Sequence, residues 1–512
     1  MVEAEAVREM GELAAKGWGA KRIARELGLA RHRRPRLAPP PPAGRSFSYS
    51  GCPFLGGLRS LRSPVESLPE GVPMRDLIRA VDGPLAGIAA AAALLLSSGC
   101  AGPSRASSLG LEADIRVRQY PAAIAQIDAA KDSEYGSNST VLYLLDKAAV
   151  LEDAGQYAEA DPLLDQAEQK LDALYTESLH KGVATFLVND LADDYRGEPY
   201  ERALLHVYRA LGYAYRDRTD DAVAEARRVD AFLTRLSDET GGKVGYRDDP
   251  FAQYLSALLY EDGGHPDDAR IARTQAAQAV PVGPVVLPPD PGGSPPEFGE
   301  LVLVHFNGIA PRRESHSIQV AWNEALFAVQ SNDDANDQSK IQEALTAGIL
   351  SDAITVAFPE MVQDPYRIQA SVVLADGQRV PTTVVEDIAA LSRAALQEHL
   401  AAIRMKSIAR ATTKFLLAKL VEHETSNQLG SGWGMIAGIV GRAAAAASEV
   451  ADTRTWRTLP AEIRLARLRL PPGVHDVEVD YDDARGALLY RERLQVEIQP
   501  ARRTYVPVRT AL

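Results

Sequence analysis

Between residues 113 and 281 one short pattern recurs, and it constrains what that stretch can fold into. A small or polar turn leads to an aromatic residue or a proline, and alanine follows three residues later. The four copies are Tyr120–Ala123, Gly155-Gln-Tyr157-Ala-Glu-Ala160, Thr219-Asp-Asp221-Ala-Val-Ala224 and Gly264-His-Pro266-Asp-Asp-Ala269. Glycine permits the tight reversal, and alanine lets two helices approach closely. Ahead of the turns, Leu142, Leu145 and Ala149, and Leu204, Val207 and Leu211, fall at helical spacing. The pattern predicts antiparallel helices.

The Gly-x-Tyr-x-x-Ala form resembles the junction between the two helices of a tetratricopeptide repeat. The alanines are 37, 64 and 45 residues apart, against about 34 in a regular array. The resemblance therefore implies a degenerate α-helical TPR-like solenoid over 113–281. The packed helices of an ordinary bundle fit the same residues, and that alternative stays open.

Upstream, the chain reads MRDLIRAVDGPLAGIAAAAALLLSSGC from Met74 to Cys100. Arg75 and Arg79 precede the apolar run Leu85–Leu96, and Ser97, Ser98 and Gly99 lead into the cysteine. A basic start, a short apolar core and a small-residue site predict an export signal over 74–99. The run is shorter than the roughly 18–20 residues of a membrane-spanning helix. Ser-Gly-Cys resembles the lipobox of bacterial lipoproteins, although Ser97 stands where that motif usually has leucine. The resemblance implies cleavage after Gly99, diacylation of Cys100 (with palmitate-like chains) and a membrane anchor. Ala101 rather than aspartate implies an outer-membrane destination, with the protein facing the periplasm. Residues 100–112 read as a linker.

The first 73 residues do not suit an exported protein. Gly11–Leu37 resembles the helix-turn-helix of transposases and resolvases, with Gly28 at the turn and Arg31, Arg33, Arg34 and Arg36 on a basic second helix. A signal peptide placed after it implies that translation starts at Met74, with 1–73 a misassigned or read-through extension. A DNA-binding regulator or transposition-related protein is the alternative. Charge separates the two parts. Residues 1–73 hold 12 Lys/Arg against 7 Asp/Glu, whereas the whole chain of 512 residues carries -13. That balance argues against nucleic acid as a partner of the chain from Cys100 onward.

Asn189, Asp190, Tyr195, Glu198, Glu201 and Arg202 gather around one interhelical loop. They form a candidate partner surface. The same residues also suit a structured corner, with Asp190 capping a helix, Pro199 at a first helical position and Glu201 and Arg202 in local ion pairs. Together with Glu225-Ala-Arg227-Arg228, Asp249-Pro-Phe251, Gly299–Pro311, Gly432–Gly434, Ala451-Asp-Thr-Arg454 and Leu459-Pro-Ala461, this block resembles a family of uncharacterised bacterial lipoproteins with tetratricopeptide-like helices. No established activity comes with that family.

A Pro/Gly linker over 282–298 interrupts helix and strand alike. Beyond it, residues 299–512 read as an α+β domain. Leu301–Phe306 and Ile354–Phe358 are strand runs, and Tyr366–Leu374 with Arg379–Val385 predicts a hairpin about Asp376-Gly377. A long helix from about Val385 to His423 follows. Glu462–Leu468, His475–Asp480, Ala487–Ile498 and Thr504–Val508 return to strands, and the turn Leu470–Gly473 followed by alternating Val474, Val477 and Val479 resembles small β-sandwich modules of surface and envelope proteins. The Gly/Ala stretch Gly430–Ala447 predicts a buried or hairpin helix packed against the β-domain, with an interfacial membrane contact or oligomer pore as the alternative.

Chemistry-bearing motifs are few. Gly430–Gly434 lacks the lysine of a phosphate loop, and His423-Glu424 lacks a second histidine at metal-ligand spacing. No catalytic residue, metal, cofactor or small-molecule substrate is read from the sequence. The expectation is a lipid-anchored envelope scaffold or adaptor that binds protein partners through TPR-like helices, with a role in envelope or peptidoglycan assembly. An envelope enzyme whose site is not visible in sequence is the remaining alternative.

Overall fold

Helices of the first half come in consecutive pairs joined by one kind of turn. Among the residues described in the computed structural model, the pairs are α1 (Arg105–Arg116) with α2 (Tyr120–Ala130), α3 (Thr140–Asp153) with α4 (Tyr157–Ser178), α5 (Pro199–Ala214) with α6 (Thr219–Thr240), and α7 (Pro250–Asp262) with α8 (Pro266–Gln278). The described residues are 105–178, 193–240, 246, 248–291, 297–330, 346, 353–429 and 451–512. All belong to the compact unit Met74–Leu512. Residues 1–73, the signal run 74–99 with Gly99, Cys100, Asn189, Asp190 and the Gly430–Ala447 stretch lie outside the described residues.

Each turn places one residue in the left-handed region: Arg118 (φ 57°), Gly155 (75°), Asp217 (55°) and Gly264 (74°). The next N–H then reaches back five residues. Gln119 donates to Asp114 O at 2.8 Å, Gln156 to Leu151 O at 2.8 Å, Arg218 to Tyr213 O at 3.0 Å and His265 to Tyr260 O at 2.7 Å. This is a Schellman cap, which satisfies the last carbonyls of the first helix. Five residues after each left-handed residue stands a buried alanine: Ala123, Ala160, Ala222 and Ala269. The third signature is thus corrected from Ala224, which is exposed, to Ala222. Thr219, not Asp221, takes the first helical position, so the alanine three residues on is Ala222.

β1 (Gly299–Asn307) is buried at every residue. It lies between β10 (Arg503–Thr510), to which it is parallel, and β7 (Glu462–Leu470), to which it is antiparallel; β6 (Thr383–Glu386) completes the sheet order β10-β1-β7-β6. A strand buried on both faces reads as a continuous apolar run, as LVLVHF does. Val302, Val304 and Phe306 share a core with the helices and Trp456. Leu301 and Leu303 point the other way, toward Val373, Val477, Val479 and Tyr481. Those residues come from the second sheet, β5-β4-β8-β9, built of β4 (Ala370–Ala375), β5 (Gln378–Pro381), β8 (Gly473–Asp482) and β9 (Leu488–Ile498). The first sheet therefore has helices on one face and a second sheet on the other.

The β4–β5 turn is at Asp376-Gly377, both with positive φ (47° and 75°), which suits a two-residue hairpin. A third sheet pairs β2 (Arg312–Ala321) with β3 (Ala353–Val362). The helix α9 (Trp322–Gln330) and the far part of α10 (Ile388–Leu429) cover it through Ala325, Ile408 and Leu416. α10 has 42 residues, about 63 Å at 1.5 Å per residue. Its start, at Ile388 and Leu391, belongs to the helical core, so it joins the two cores. The architecture is a helical N-terminal region followed by a mixed α/β region with several sheets. The Pro/Gly linker is docked between them: Val286 N–H donates to Val384 O at 2.8 Å, and Tyr254 Oη to Pro288 O at 3.0 Å.

Candidate functional site

The two regions meet across a seam where arginines of the second region mostly face carboxylates of the first, while Arg116–Asp364 and Arg118–Glu492 run the other way. Residues 101–300 hold 19 Lys/Arg against 35 Asp/Glu, whereas 301–512 hold 23 against 25. The acidic excess of the helices is met there. Arg503 reaches Asp262 at 2.7 Å and Glu261 at 2.5 Å, Arg509 reaches Asp153 at 3.0 Å, and Arg312 reaches Glu112 at 3.4 Å. Arg457 Nε lies 3.2 Å from Asp146 Oδ2, Nη1 3.0 Å from Ser108 Oγ and Nη2 2.8 Å from Tyr135 Oη. Burial pushes the Asp146 carboxyl up, against the pull of Arg457. Such pairs are costly to desolvate, but removing one partner is costlier still.

The segment 451–461 supplies the centre of this seam. Trp456 is 1% exposed, with its ring 5.5 Å from that of Tyr208. Its backbone N–H donates to Glu201 Oε1 at 2.8 Å, and Thr455 Oγ1 to the same oxygen at 3.2 Å. Arg454 donates to the Asp193 carbonyl at 2.8 Å and pairs with Asp452 at 2.8 Å.

The sequence-selected loop residues are thereby sorted onto different surroundings. Glu201 is 1% exposed and Tyr195 6%; Tyr195 Oη donates to Glu201 Oε2. Glu201 Oε2 also accepts the Glu198 N–H at 2.8 Å, which ties down the start of α5 as in a capping box, with Pro199 at the first turn. Burial raises the Glu201 pKa, and the Trp456 N–H works against that rise. Glu198 pairs with Arg313. Among the described loop residues, Arg202 alone turns away, to Asp172 at 2.9 Å and over the Phe232 ring at 5.2 Å. It lines a cleft of about 170 Å³ with His206, Arg228 and Arg235, between α4, α5 and α6.

A second polar cluster lies between the two four-stranded sheets. His305 Nδ1 is 2.9 Å from Ser371 Oγ, which is 2.6 Å from Thr382 Oγ1, and His305 Nε2 is 2.7 Å from Thr510 Oγ1. A histidine beside a serine is the nearest approach to a nucleophile–base pair in the described residues. Both are sealed, at 0% and 1% exposed, and burial holds His305 well below its usual pKa. The pair joins the two sheets.

Two clefts open along the seam. The larger, about 420 Å³, is lined by Glu261, Asp262, Glu300, Arg469, Arg503 and Tyr505 among others. The smaller, about 220 Å³, lies at the α3–α4 turn and is walled by Tyr157, Tyr208, Tyr215 and Phe306 together with Glu152 and Arg509. Tyr157 and Tyr215 have ring centroids 5.0 Å apart, and Tyr208 and Phe306 5.6 Å apart. Glu152 is 7% exposed, and burial pushes its pKa well above the carboxylate range. Among the described residues, Tyr215 Oη and Arg509 Nη2 have no hydrogen-bond partner. The sequence does not single out Glu152; the Glu152-Asp153 pair closing the apolar run of α3 is its local signal.

Among the described residues, no group of three or more His, Cys, Asp or Glu is placed to hold a metal ion. No described helix is long and apolar enough to cross a membrane. Compared with known proteins, the chain matches no family model, no curated protein and no solved structure.

Proposed function

We propose that this protein is a lipid-anchored scaffold of the bacterial cell envelope, tethered through Cys100 and binding protein partners through TPR-like helices. The observation that carries the helical part of this reading is the repeated turn, with a left-handed residue and a buried alanine five residues later in four helix pairs. That register suits a short TPR-like solenoid, and the facing four-stranded sheets suit a β-sandwich-like C-terminal part. The anchor rests on the sequence from Met74 to Cys100, where two acyl chains would give stable membrane attachment.

One side of the helices is filled by the chain's own residues 451–461, so the reading assigns partners to the outward side of α4–α6. Arg202, Arg228, Arg235 and Phe232 lie there. The deciding experiment is mass spectrometry of protein extracted from cells, expected to find an N-terminal diacylated Cys100. Loss of membrane fractionation in Cys100→Ser would agree. An unmodified cytoplasmic product beginning at Met1 and shifting DNA would overturn the proposal in favour of a regulator. Crosslinking in intact cells, with Arg202→Glu as the control, tests the partner face.

A further inference from the structure

Glu152 is a carboxyl without a counter-ion in an aromatic cavity. Among the described residues, no donor or cation pairs with its side chain. Arg216 is the charge that most favours its ionisation, and that residue is engaged by Gly212 O at 2.9 Å and Asp161 at 3.8 Å. Burying a carboxyl this way is unfavourable unless something compensates it. The fold nevertheless keeps room for it. A Cβ added at Gly212 would lie 3.1 Å from Glu152 Oε1, and Gly212 sits inside α5, where glycine is less favourable than alanine.

The other charges of the cavity cancel. Arg509 Nε holds Asp153 at 3.0 Å, and its Nη1 donates to the carbonyls of Gly308 at 2.7 Å and Thr510 at 2.6 Å. An ionised Glu152 would leave one uncompensated negative charge among four aromatic rings. Ring faces attract cations, and the attraction strengthens where water is excluded. Half-buried Tyr157 and Tyr215 and exposed Gly155 form the rim, so the cavity can be entered from solvent.

We propose that this cavity binds an alkylammonium group, its charge on Glu152 and its carbons against Tyr157, Tyr208, Tyr215 and Phe306. At about 220 Å³ it takes a quaternary-amine head or one lysine side chain, not a larger body. The site does not depend on the lipid anchor or on the envelope location.

Titration calorimetry on the full chain tests it with three probes: choline, its neutral isostere 3,3-dimethylbutan-1-ol, and the blocked peptide acetyl-Gly-Lys-Gly-amide. At least one cation is expected to bind at least tenfold more tightly than the neutral isostere. Binding should release about one proton, read from buffers of different ionisation enthalpy, because Glu152 gives up its proton to meet the ligand. Tighter choline binding identifies a free amine as the ligand, and tighter peptide binding a lysine. Glu152→Gln should weaken the cation at least tenfold without lowering the melting temperature, and Tyr157→Leu should weaken it several-fold. Equal binding of the neutral isostere, unchanged affinity in both variants, or no cation binding at millimolar concentration would overturn the assignment.

Discussion

Arg457 and Asp146 are 311 positions apart in sequence and form one sealed ion pair, Nε to Oδ2 at 3.2 Å. Asp146 is 0% exposed, and Tyr135, Thr458 and Ser108 complete the hydrogen bonding of the two groups. The pair fastens α3 to the segment that carries Trp456. Asp146→Ala leaves the guanidinium buried and unpaired, and urea unfolding should show a loss of about 3–5 kcal/mol. Asp146→Leu with Arg457→Met removes both charges and should cost less than Asp146→Ala.

The register of the helix pairs is testable by size. Ala160→Leu and Ala222→Leu insert carbons into close helix contacts and should each destabilise by about 1–3 kcal/mol. Ala224→Leu, on the exposed side of the same helix, should stay within about 0.5 kcal/mol. Thermal melts followed by circular dichroism distinguish these outcomes; equal losses at positions 222 and 224 would contradict the register.

Two of the four left-handed turn residues are not glycine, and they should respond differently to becoming glycine. Asp217→Gly relieves backbone strain and should be neutral or stabilise by up to about 1 kcal/mol. Arg118 uses its side chain, with Nη1 2.9 Å from Glu492 and Nη2 2.7 Å from Arg509 O. Arg118→Gly should therefore destabilise in the same denaturant titration.

Stability should fall as pH rises above the ordinary carboxylate range. Burial pushes Glu152 well above the carboxylate range, and burial with the neighbouring Asp249 does the same to Glu386. Each holds its proton in the folded protein at pH values where the unfolded chain has lost it. The stability each contributes is complete below the ordinary carboxylate range and is lost as pH rises through its raised native value. Glu152→Gln and Glu386→Gln should raise the melting temperature at about pH 8 and flatten the profile. Variants as pH-sensitive as the parent would show that these carboxyls do not set the slope.

What could be read in the sequence was what local geometry decides. The helix pairs are legible because a turn residue and an alanine five positions later belong to one short segment. β1 is legible because burial on both faces leaves no polar alternation. β2 is not: RRESHSIQVA has a largely exposed middle, so its strand character comes from pairing with β3 rather than from an apolar period. The loop residues are near one another in sequence, yet Glu201 and Arg202 are about 100° apart around a helix and meet different neighbours. The role of Thr455-Trp456-Arg457 was hidden for a related reason. Its order comes from carboxylates some 250–310 positions earlier, and irregular backbone carries no period that would announce them. Glu152 acquires its meaning from rings on α4, α5 and β1, which no single window contains.

The seam also dictates an order of assembly. β10 aligns with β1 only after about two hundred intervening residues have been made, as the Arg503–Glu300 contact across 203 positions records. During synthesis the acidic helices leave the ribosome first, at roughly 5–20 residues per second. They therefore wait on the order of ten seconds or more, on the same scale, for the arginines that will cover Asp146, Asp153 and Asp262. In that interval their unmatched negative charge favours repulsion between half-made chains. The same charge that costs free energy when buried would then guard the nascent protein against clumping before its second half arrives.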